Sequence, residues 1–246
     1  MIGESRLIVL KKWEELPDFM SIPEVRTYYD ILKKKRFDLL VKRAFDFIMA
    51  LILLIILAIP MAVIAIWIKW DSKGPVFYRQ ERVTTYGRRF RIHKFRTMVS
   101  NAEKIGTAVT VENDNRVTKI GRKLRHLRFD ELPQLFDVLA GTMSFVGTRP
   151  EAVKYVEQYQ PEYFATLLMP AGITSEASIR FKDEAKLLEL SEDVDLDYLE
   201  QVLPIKMKWN LEAIERFQFY REIVTMYRTL AAMLGKDYER AGKGWK

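Results

Sequence analysis

Two adjacent acids, Asp130 and Glu131, lie in a basic stretch of the chain, LRHLRFDELPQLFDV. Basic or titratable side chains precede them at Arg122, Lys123, Arg125, His126 and Arg128. If a helix begins here, its free N–H groups and positive dipole end favour a bound anion, and arginine adds charge-assisted hydrogen bonds to phosphate. The same field is expected to lower the pKa of Asp130 and keep its carboxylate ionised, as a nucleophile must be. The pair therefore predicts chemistry at a phosphate group.

The same spacing also fits a purely structural role. Leu132, Leu135, Phe136 and Leu139 have the spacing of an amphipathic helix that ends before Gly141, with Asp130 as its N-cap and Glu131 in its first turn. Neighbours on a helix do not share a face, so the two acids would serve different partners. Two carboxylates beside a diphosphate also suit Mg²⁺, which prefers oxygen ligands. Spacing alone leaves both interpretations open.

A second cluster, SFVGTRPE, spans residues 144–151 and places Arg149 directly before Pro150. A rigid Arg-Pro turn can fix a guanidinium group for recognition of a phosphate or a base. It can equally be a structural turn that precedes a helix over residues 151–159.

Composition bounds the partners and the compartment. The 246 residues contain 40 Lys and Arg against 33 Asp and Glu, a formal charge of +7. Nucleic acid, anionic lipid headgroups and phosphorylated substrates all match this sign. Because the chain has no cysteine, disulfides, cysteine nucleophiles and thiolate metal sites are excluded. The soluble part is expected to face the cytoplasm.

An uncharged apolar run, FIMALILLIILAIPMAVIAIWI, covers residues 47–68 and predicts a membrane helix. As a helix it is roughly 33 Å long, enough to reach across a hydrocarbon core. Both of its flanks are basic, which favours the cytoplasm for both ends. A helix broken near Pro60 would enter and return on one face, since proline removes a backbone donor and bends a helix. The alternative is a single-pass helix with a mild kink.

The remaining pattern predicts an α/β, mostly helical, monotopic membrane protein with three parts. Residues 1–40 form an extension that packs on the main body or contacts a second protomer. Residues 41–70 form the re-entrant helix, and residues 71–246 form a cytoplasmic catalytic domain. The alternation on either side of Tyr86 and Gly87 predicts a small β-hairpin. The C-terminal third, up to Leu234, predicts helices that either cover the core or lie on the membrane interface.

Five motifs occur in the order seen in bacterial sugar transferases, namely KRAFD (42–46), GPVFYRQERV (74–83), KFRTM (94–98), DELPQLFDVLAGTMSFVG (130–147) and PAGIT (170–174). Over residues 42–182 the chain thus resembles the monotopic phosphoglycosyl transferase superfamily, which initiates capsule, exopolysaccharide and glycoprotein glycans. Any single motif is weak evidence, whereas their order is specific. Two departures stand out: Thr148 replaces the usual proline before Arg149, and SEASI follows Thr174 where many members have GLAQV.

The resemblance implies a role for each matching position. Asp130 matches the nucleophile and Glu131 its paired glutamate, with Mg²⁺ as cofactor at the two acids. Arg125 and the Arg149-Pro150 motif match positions associated with the phosphates and uridine of a nucleotide sugar. Lys94 and Arg96 are assigned to the wall of the active site, and Pro60 matches the break in the re-entrant helix.

The reaction implied is transfer of a sugar phosphate from a UDP-sugar to a polyprenol phosphate through an aspartyl intermediate. The expected location is the cytoplasmic face of the cell inner membrane. The expected partners are UDP-sugar, polyprenol phosphate and membrane lipid, with no nucleic acid and with a homodimer left open. A metal-dependent nucleotide-sugar pyrophosphatase and a membrane-anchored scaffold for glycan assembly are the alternatives.

Overall fold

The computed structural model describes residues 10–100, 102, 114–181 and 193–234. The first nine residues of the predicted extension and the last twelve of the predicted catalytic domain lie outside this range. The fold is mostly helical, with two small sheets. The α-helices are α1 Pro23–Lys34, α2 Arg36–Asp71, α3 Lys119–His126, α4 Gln134–Ala140, α5 Val153–Val156, α6 Glu176–Arg180, α7 Val194–Asp197, α8 Leu203–Glu215 and α9 Phe219–Met233. The strands are β1 Phe77–Val83, β2 Arg89–Phe95, β3 Met143–Val146 and β4 Ala171–Thr174.

The predicted hairpin is confirmed, since β1 and β2 pair antiparallel and Tyr78 lies opposite Lys94. The turn between them uses left-handed backbone at Tyr86 (φ 58°) and Gly87 (φ 75°). Along β1, the exposed residues alternate with half-buried ones, so Tyr78, Gln80 and Arg82 share the half-buried face. Cross-strand partners point the same way, which places Lys94 on that face too.

The N-terminal segment is part of the main core. Met20, Val25, Tyr29 and Leu32 are completely or almost completely buried, and they pack with aromatic and aliphatic residues of the C-terminal half. The part of the extension that the structure describes, residues 10–40, therefore packs on the main body. The 3₁₀ segment Pro161–Leu168 and helix α8 supply much of the opposing surface.

Strands β3 and β4 pair parallel, and their backbones come very close at Gly172 in β4 and Gly147 directly after β3. A Cβ atom on Gly172 would lie 2.1 Å from the Gly147 nitrogen, and one on Gly147 would lie 2.5 Å from the Pro170 carbonyl oxygen. Only glycine fits both positions without moving backbone. The motifs ending in Gly147 and containing Gly172 thus position the chain that leads into Arg149.

Helix α2 runs without interruption through Pro60 and is ~54 Å long at the usual rise per residue. One face packs on the folded body along the whole apolar segment, through Ala50 toward its start and through Ile64 and Ile68 toward its end. The opposite face is apolar and exposed, with Ile55 69%, Ile59 78% and Trp70 80% accessible. By length and composition α2 is the one described helix able to cross a membrane.

Both ends of α2 are fixed to the same body by polar contacts. Near the start, Lys42 Nζ donates to Ser144 Oγ and to the Val146 carbonyl and pairs with Glu222. Near the end, Arg96 Nη2 donates to the Ser72 carbonyl at 2.7 Å, and Asp71 accepts from the Ile120 N–H at 3.1 Å. The two ends therefore lie on one folded unit.

Helix α9, predicted from the C-terminal pattern, leaves an apolar face uncovered. Tyr220, Ile223, Tyr227, Leu230 and Leu234 follow the helical spacing and are exposed. Its other face packs against the start of α2, where Phe219 meets Phe45 edge to face at 5.4 Å. Two exposed apolar helix faces are thus carried by neighbouring elements.

Candidate active site

Asp130 and Glu131 lie in a 3₁₀ turn, Phe129–Glu131, ahead of helix α4. The residue before the turn, Arg128, has left-handed backbone (φ 57°), and α4 begins only at Gln134, after Pro133. The expectation that Asp130 caps a helix N-terminus is therefore wrong. Pro133 takes the N-cap position of α4, where a missing N–H costs nothing because the first N–H groups of a helix have no intrahelical partner. Side chains, and not helix N–H groups, supply the positive field.

Two cations hold the Glu131 carboxylate. Arg149 Nη2 donates to Glu131 Oε1 at 2.6 Å, and Lys94 Nζ donates to the same oxygen at 3.3 Å. The Glu131 side chain is only 11% exposed, so little water screens these contacts. The structure thus brings together Glu131, Lys94 and Arg149, which come from the 3₁₀ turn, strand β2 and the segment after β3.

The two acids have opposite pKa shifts. Arg149 and Lys94 outweigh burial and hold the pKa of Glu131 far below its usual range. Burial, followed by repulsion from Glu131, raises the pKa of Asp130. The expectation of a lowered Asp130 pKa is therefore wrong, because burial and the charge of Glu131 outweigh the lowering by Lys94, Arg125 and Arg128. Asp130 is the more basic carboxylate of the pair.

Arg125 and Arg128 are the cations that act on Asp130 besides Lys94. Arg125 is fixed by its Nε, which donates to Thr97 Oγ1 at 2.9 Å. The Asp130 carboxylate itself accepts no hydrogen bond from any residue that the structure describes. It lies in a positive field without being tied to a single partner.

Arg82 belongs to the same cluster and was not predicted. Its Nη2 donates to Gln80 Oε1 at 2.6 Å and its Nη1 to the Pro150 carbonyl at 3.4 Å. The charge of Arg82 helps to lower the pKa of Lys94, and the charge of Arg149 helps to lower the pKa of Arg82. The signal was present in the hairpin, since strand alternation puts Arg82 on the face that carries Lys94.

Arg96 does not join this cluster. Its guanidinium binds the carbonyls of Ser72 and Lys73, each at 2.7 Å, and so closes the C-terminal end of α2. The assignment of Arg96 to the wall of the active site therefore differs from its observed position. Strand β2 ends at Phe95, and the chain turns there toward the helix. Pro60 lies within α2, 70 residues before Asp130 in the sequence.

Among the described residues, five cations lie around the two carboxylates of the acid pair. Lys94, Arg82, Arg125, Arg128 and Arg149 surround Asp130 and Glu131, and burial lowers the pKa of Lys94. A concentration of positive charge in a partly dry site favours a multivalent anion such as a diphosphate.

The donor set fits a magnesium ion that depends on substrate oxygens. No group of three His, Asp or Glu residues with metal-binding spacing occurs among residues 10–100, 114–181 and 193–234. Mg²⁺ commonly uses one or two carboxylates together with water and phosphate oxygens. Because Glu131 Oε1 is already shared by Arg149 and Lys94, Asp130 is the more accessible donor. A cation there would offset the repulsion between the two carboxylates.

A cavity of about 250 Å³ lies elsewhere, between α6, α8 and α9. Its walls include Arg180, Trp209 and Glu222. Neither Asp130, Glu131 nor any of the five cations that surround this acid pair lines the cavity. It is therefore a separate feature and not the candidate site.

Comparison with known proteins decides the family. The family model described as bacterial sugar transferase matches residues 37–236, which is most of the chain and includes every element of the site. The chain belongs to the bacterial sugar transferase family. The resemblance to phosphoglycosyl transferases is thereby confirmed.

Individual relatives agree with this membership. The chain is 35% identical over 191 residues to an Aeromonas hydrophila protein named UDP-N-acetylgalactosamine-undecaprenyl-phosphate N-acetylgalactosaminephosphotransferase, covering 74% of this chain and 42% of the relative. It is 39% identical over 161 residues to the Escherichia coli K12 UDP-glucose:undecaprenyl-phosphate glucose-1-phosphate transferase, covering 62% and 34%. A Caulobacter vibrioides protein of the same name is 34% identical over 180 residues, covering 70% and 62%. The chain thus spans about one third to three fifths of the length of these relatives.

Proposed function

We propose that this bacterial sugar transferase moves a sugar phosphate from a UDP-sugar to a polyprenol phosphate through a covalent intermediate on Asp130. The observation that carries the proposal is the difference between the two adjacent acids. Glu131 accepts hydrogen bonds from Arg149 and Lys94, whereas Asp130 has a raised pKa and its carboxylate accepts no hydrogen bond from the described residues. A basic carboxylate in a positive field is suited to attack phosphorus.

In the first step, an Asp130 carboxylate oxygen bonds to the β-phosphorus of the UDP-sugar. The bond from that phosphorus to the bridging oxygen breaks, and UMP leaves with the electron pair. In the second step, a phosphate oxygen of the polyprenol phosphate bonds to the same phosphorus, and the bond to Asp130 breaks. The products are polyprenol-diphosphate-sugar and a free Asp130 carboxylate, and the kinetics are ping-pong.

The surrounding cations have distinct tasks. Arg125 and Arg128 lie on the Asp130 side of the cluster, where they offset charge on the transferring phosphoryl group. Arg149 and Arg82 lie on the Glu131 side, where their guanidinium groups bind the nucleotide portion. Mg²⁺, held by Asp130 with Glu131 and substrate oxygens, would neutralise phosphate charge when bound.

The membrane arrangement follows from helix α2. We propose that its exposed apolar face enters one leaflet from the cytoplasmic side and that a bend of the otherwise continuous helix at Pro60 returns the chain to that side. Two observations support this: Lys42 and Asp71 at either end of the helix bind the same folded body. A spanning helix would require one of these contacts to lie across the bilayer. The exposed face of α9 would rest on the same interface.

Lipid dependence is the test that separates transfer from hydrolysis. Purified protein with Mg²⁺ and radiolabelled UDP-glucose or UDP-N-acetylgalactosamine is assayed with and without undecaprenyl phosphate. The proposal predicts lipid-extractable label only when the lipid is present. Water-soluble sugar phosphate released equally fast without lipid would instead indicate a pyrophosphatase.

Matched variants separate an enzyme from a scaffold. Asp130→Asn should abolish label transfer, whereas Asp18→Asn, which changes an exposed aspartate far along the chain, should leave it unchanged. If Asp130→Asn supported normal glycan production in cells, the scaffold function would be favoured and the catalytic proposal overturned.

A further inference from the structure

A buried polar triad joins helix α8 to the segment that carries Arg149. Tyr198 Oη donates to Glu151 Oε1 at 2.6 Å, and Lys206 Nζ lies 3.4 Å from the same oxygen. Lys206 Nζ also donates to Tyr198 Oη at 2.9 Å, which closes the triangle. Tyr198 is 2% exposed, Lys206 4% and Glu151 7%. Buried charges of this kind are costly unless they are paired, so the triad holds a fixed geometry.

Glu151 links this triad to the acid pair through both its backbone and its charge. Its carbonyl accepts from the Val83 N–H at 3.1 Å, and the preceding Pro150 carbonyl accepts from Arg82. Its carboxylate attracts Arg82 and Arg149, and Lys206 attracts it from the other side. Positive and negative groups therefore alternate from Lys206, through Glu151 and Arg149, to Glu131.

We propose that Lys206 and Tyr198 are positioning residues that act through Glu151 to orient the guanidinium groups of Arg82 and Arg149 toward the nucleotide sugar. This inference rests on the proposed function of the site. Lys206 neutralises Glu151, so that Arg149 remains bonded to Glu131 instead of turning back to Glu151. Tyr198 holds the Glu151 carboxylate in the one orientation that serves both contacts.

The charge logic predicts a compensating pair of substitutions. Lys206→Met removes the ammonium group that pairs with Glu151, so the Glu151 carboxylate competes more strongly with Glu131 for Arg149. Removing that charge as well, in Lys206→Met with Glu151→Gln, ends the competition, and Tyr198 can still donate to the amide oxygen. A network that only held helices together would show no such recovery of substrate affinity.

The experiment measures UDP-sugar affinity in two ways. One is KM and kcat for lipid-linked product, and the other is calorimetric binding of the UDP-sugar in the Asp130→Asn background, where no chemistry occurs. Lys206→Met should weaken binding about tenfold, the loss of roughly one charge-assisted contact, with a smaller change in kcat. The double variant should return to within about threefold of the parent protein.

Controls keep the outcomes separate. Lys208→Met, an exposed lysine two residues further along α8, should bind like the parent protein. Tyr198→Phe removes one hydroxyl and should weaken binding several-fold, which provides a test if Lys206→Met does not fold. Unchanged affinity in Lys206→Met and Tyr198→Phe, or a double variant as weak as Lys206→Met, would overturn the inference while leaving the transferase proposal standing. A parent protein that binds UDP-sugar but transfers nothing would overturn only the transferase proposal.

Discussion

At the scale of single residues, adjacent carboxylates acquire different chemistry from their neighbours. Glu131 and Asp130 are both largely removed from water, but the hydrogen bonds from Arg149 and Lys94 go to Glu131. The first negative charge therefore settles on Glu131, and the second, on Asp130, is opposed by burial and by Glu131 itself. A carboxylate made more basic in this way is a stronger nucleophile while it is ionised.

Substituting the two acids should have opposite effects on stability. The folded-state pKa of Asp130 is raised, so its ionisation at neutral pH destabilises the folded protein, and Asp130→Asn should raise the unfolding midpoint there. Its transfer activity should fall by about a thousandfold or more. Glu131→Gln should instead lower the free energy of unfolding by about 3 kcal/mol, because Arg149 and Lys94 lose their partner. Thermal and denaturant unfolding measure both changes, and destabilisation by Asp130→Asn would contradict the electrostatic account.

The acid limb of the pH–rate profile should report Asp130. Because burial and Glu131 raise the pKa of Asp130 before Mg²⁺ and substrate bind, kcat/KM for intermediate formation should begin to fall at a higher pH than an exposed aspartate would give. In Glu131→Gln the repulsion disappears and two cations become available to Asp130, so the limb should move to lower pH. Single-turnover rates of UMP release across the acid range measure this shift. A limb that stays in place in Glu131→Gln would mean that another group controls the rate.

Part of the site was predictable from residue types and order, and part was not. The Asp130–Glu131 pair, Lys94, Arg125 and Arg149 were identified from motifs, and the structure gathers them in one cluster. Arg96 was assigned there as well, from the resemblance of the KFRTM motif, but β2 ends at Phe95 and Arg96 binds backbone carbonyls at the end of α2. Where a strand ends depends on tertiary contacts, here with the carbonyls of α2, and no local pattern encodes these contacts.

At the scale of elements, short connections fix the chemistry. The left-handed Arg128 and the start of α4 at Gln134 leave the acid pair on a tight turn, whereas the apolar spacing had predicted a helix cap. Such spacing cannot distinguish a 3₁₀ turn from the first turn of an α-helix, since both bring the same residues to one side. The parallel pair β3–β4 delivers Arg149 from the other direction.

The close approach of the Gly147 and Gly172 backbones should tolerate no side chain at either position. Gly172→Ala brings a Cβ to within 2.1 Å of the Gly147 nitrogen, so β3 and β4 must separate. We expect a loss of about 2 kcal/mol in the free energy of unfolding. Activity per folded molecule should also fall, because Arg149 follows Gly147 by two residues. Denaturant titration and transfer assays check both effects. A variant as stable and active as the parent protein would show that the two backbones leave room for a Cβ atom.

At the scale of the whole molecule, one apolar helix packs on the core with one face and exposes the other, the face proposed to enter the membrane. The sequence indicated the length and apolar character of α2 and its basic flanks, but not which face packs on the body. A nearly uniform run of Leu and Ile has no helical periodicity to distinguish lipid from protein, so packing decides. The structure shows no interruption of α2 at Pro60. A re-entrant path of the chain there remains a proposal.

Topology can be tested directly because the chain has no cysteine of its own. Single cysteines at Lys34 and Lys73 flank α2, and in sealed inverted membrane vesicles an impermeant maleimide should label both. A cysteine at Ile59, which is 78% exposed on the apolar face, should be shielded until detergent is added. Labelling of Lys34→Cys and Lys73→Cys from opposite sides would establish a spanning helix.

The most direct test of the central claim is intact-protein mass after exposure to a UDP-sugar and Mg²⁺ without lipid. The account predicts a mass increase of one sugar phosphate located on Asp130, absent in Asp130→Asn and lost when undecaprenyl phosphate is added. Lipid-linked product formed at full rate by Asp130→Asn, or an adduct on any other residue, would contradict it.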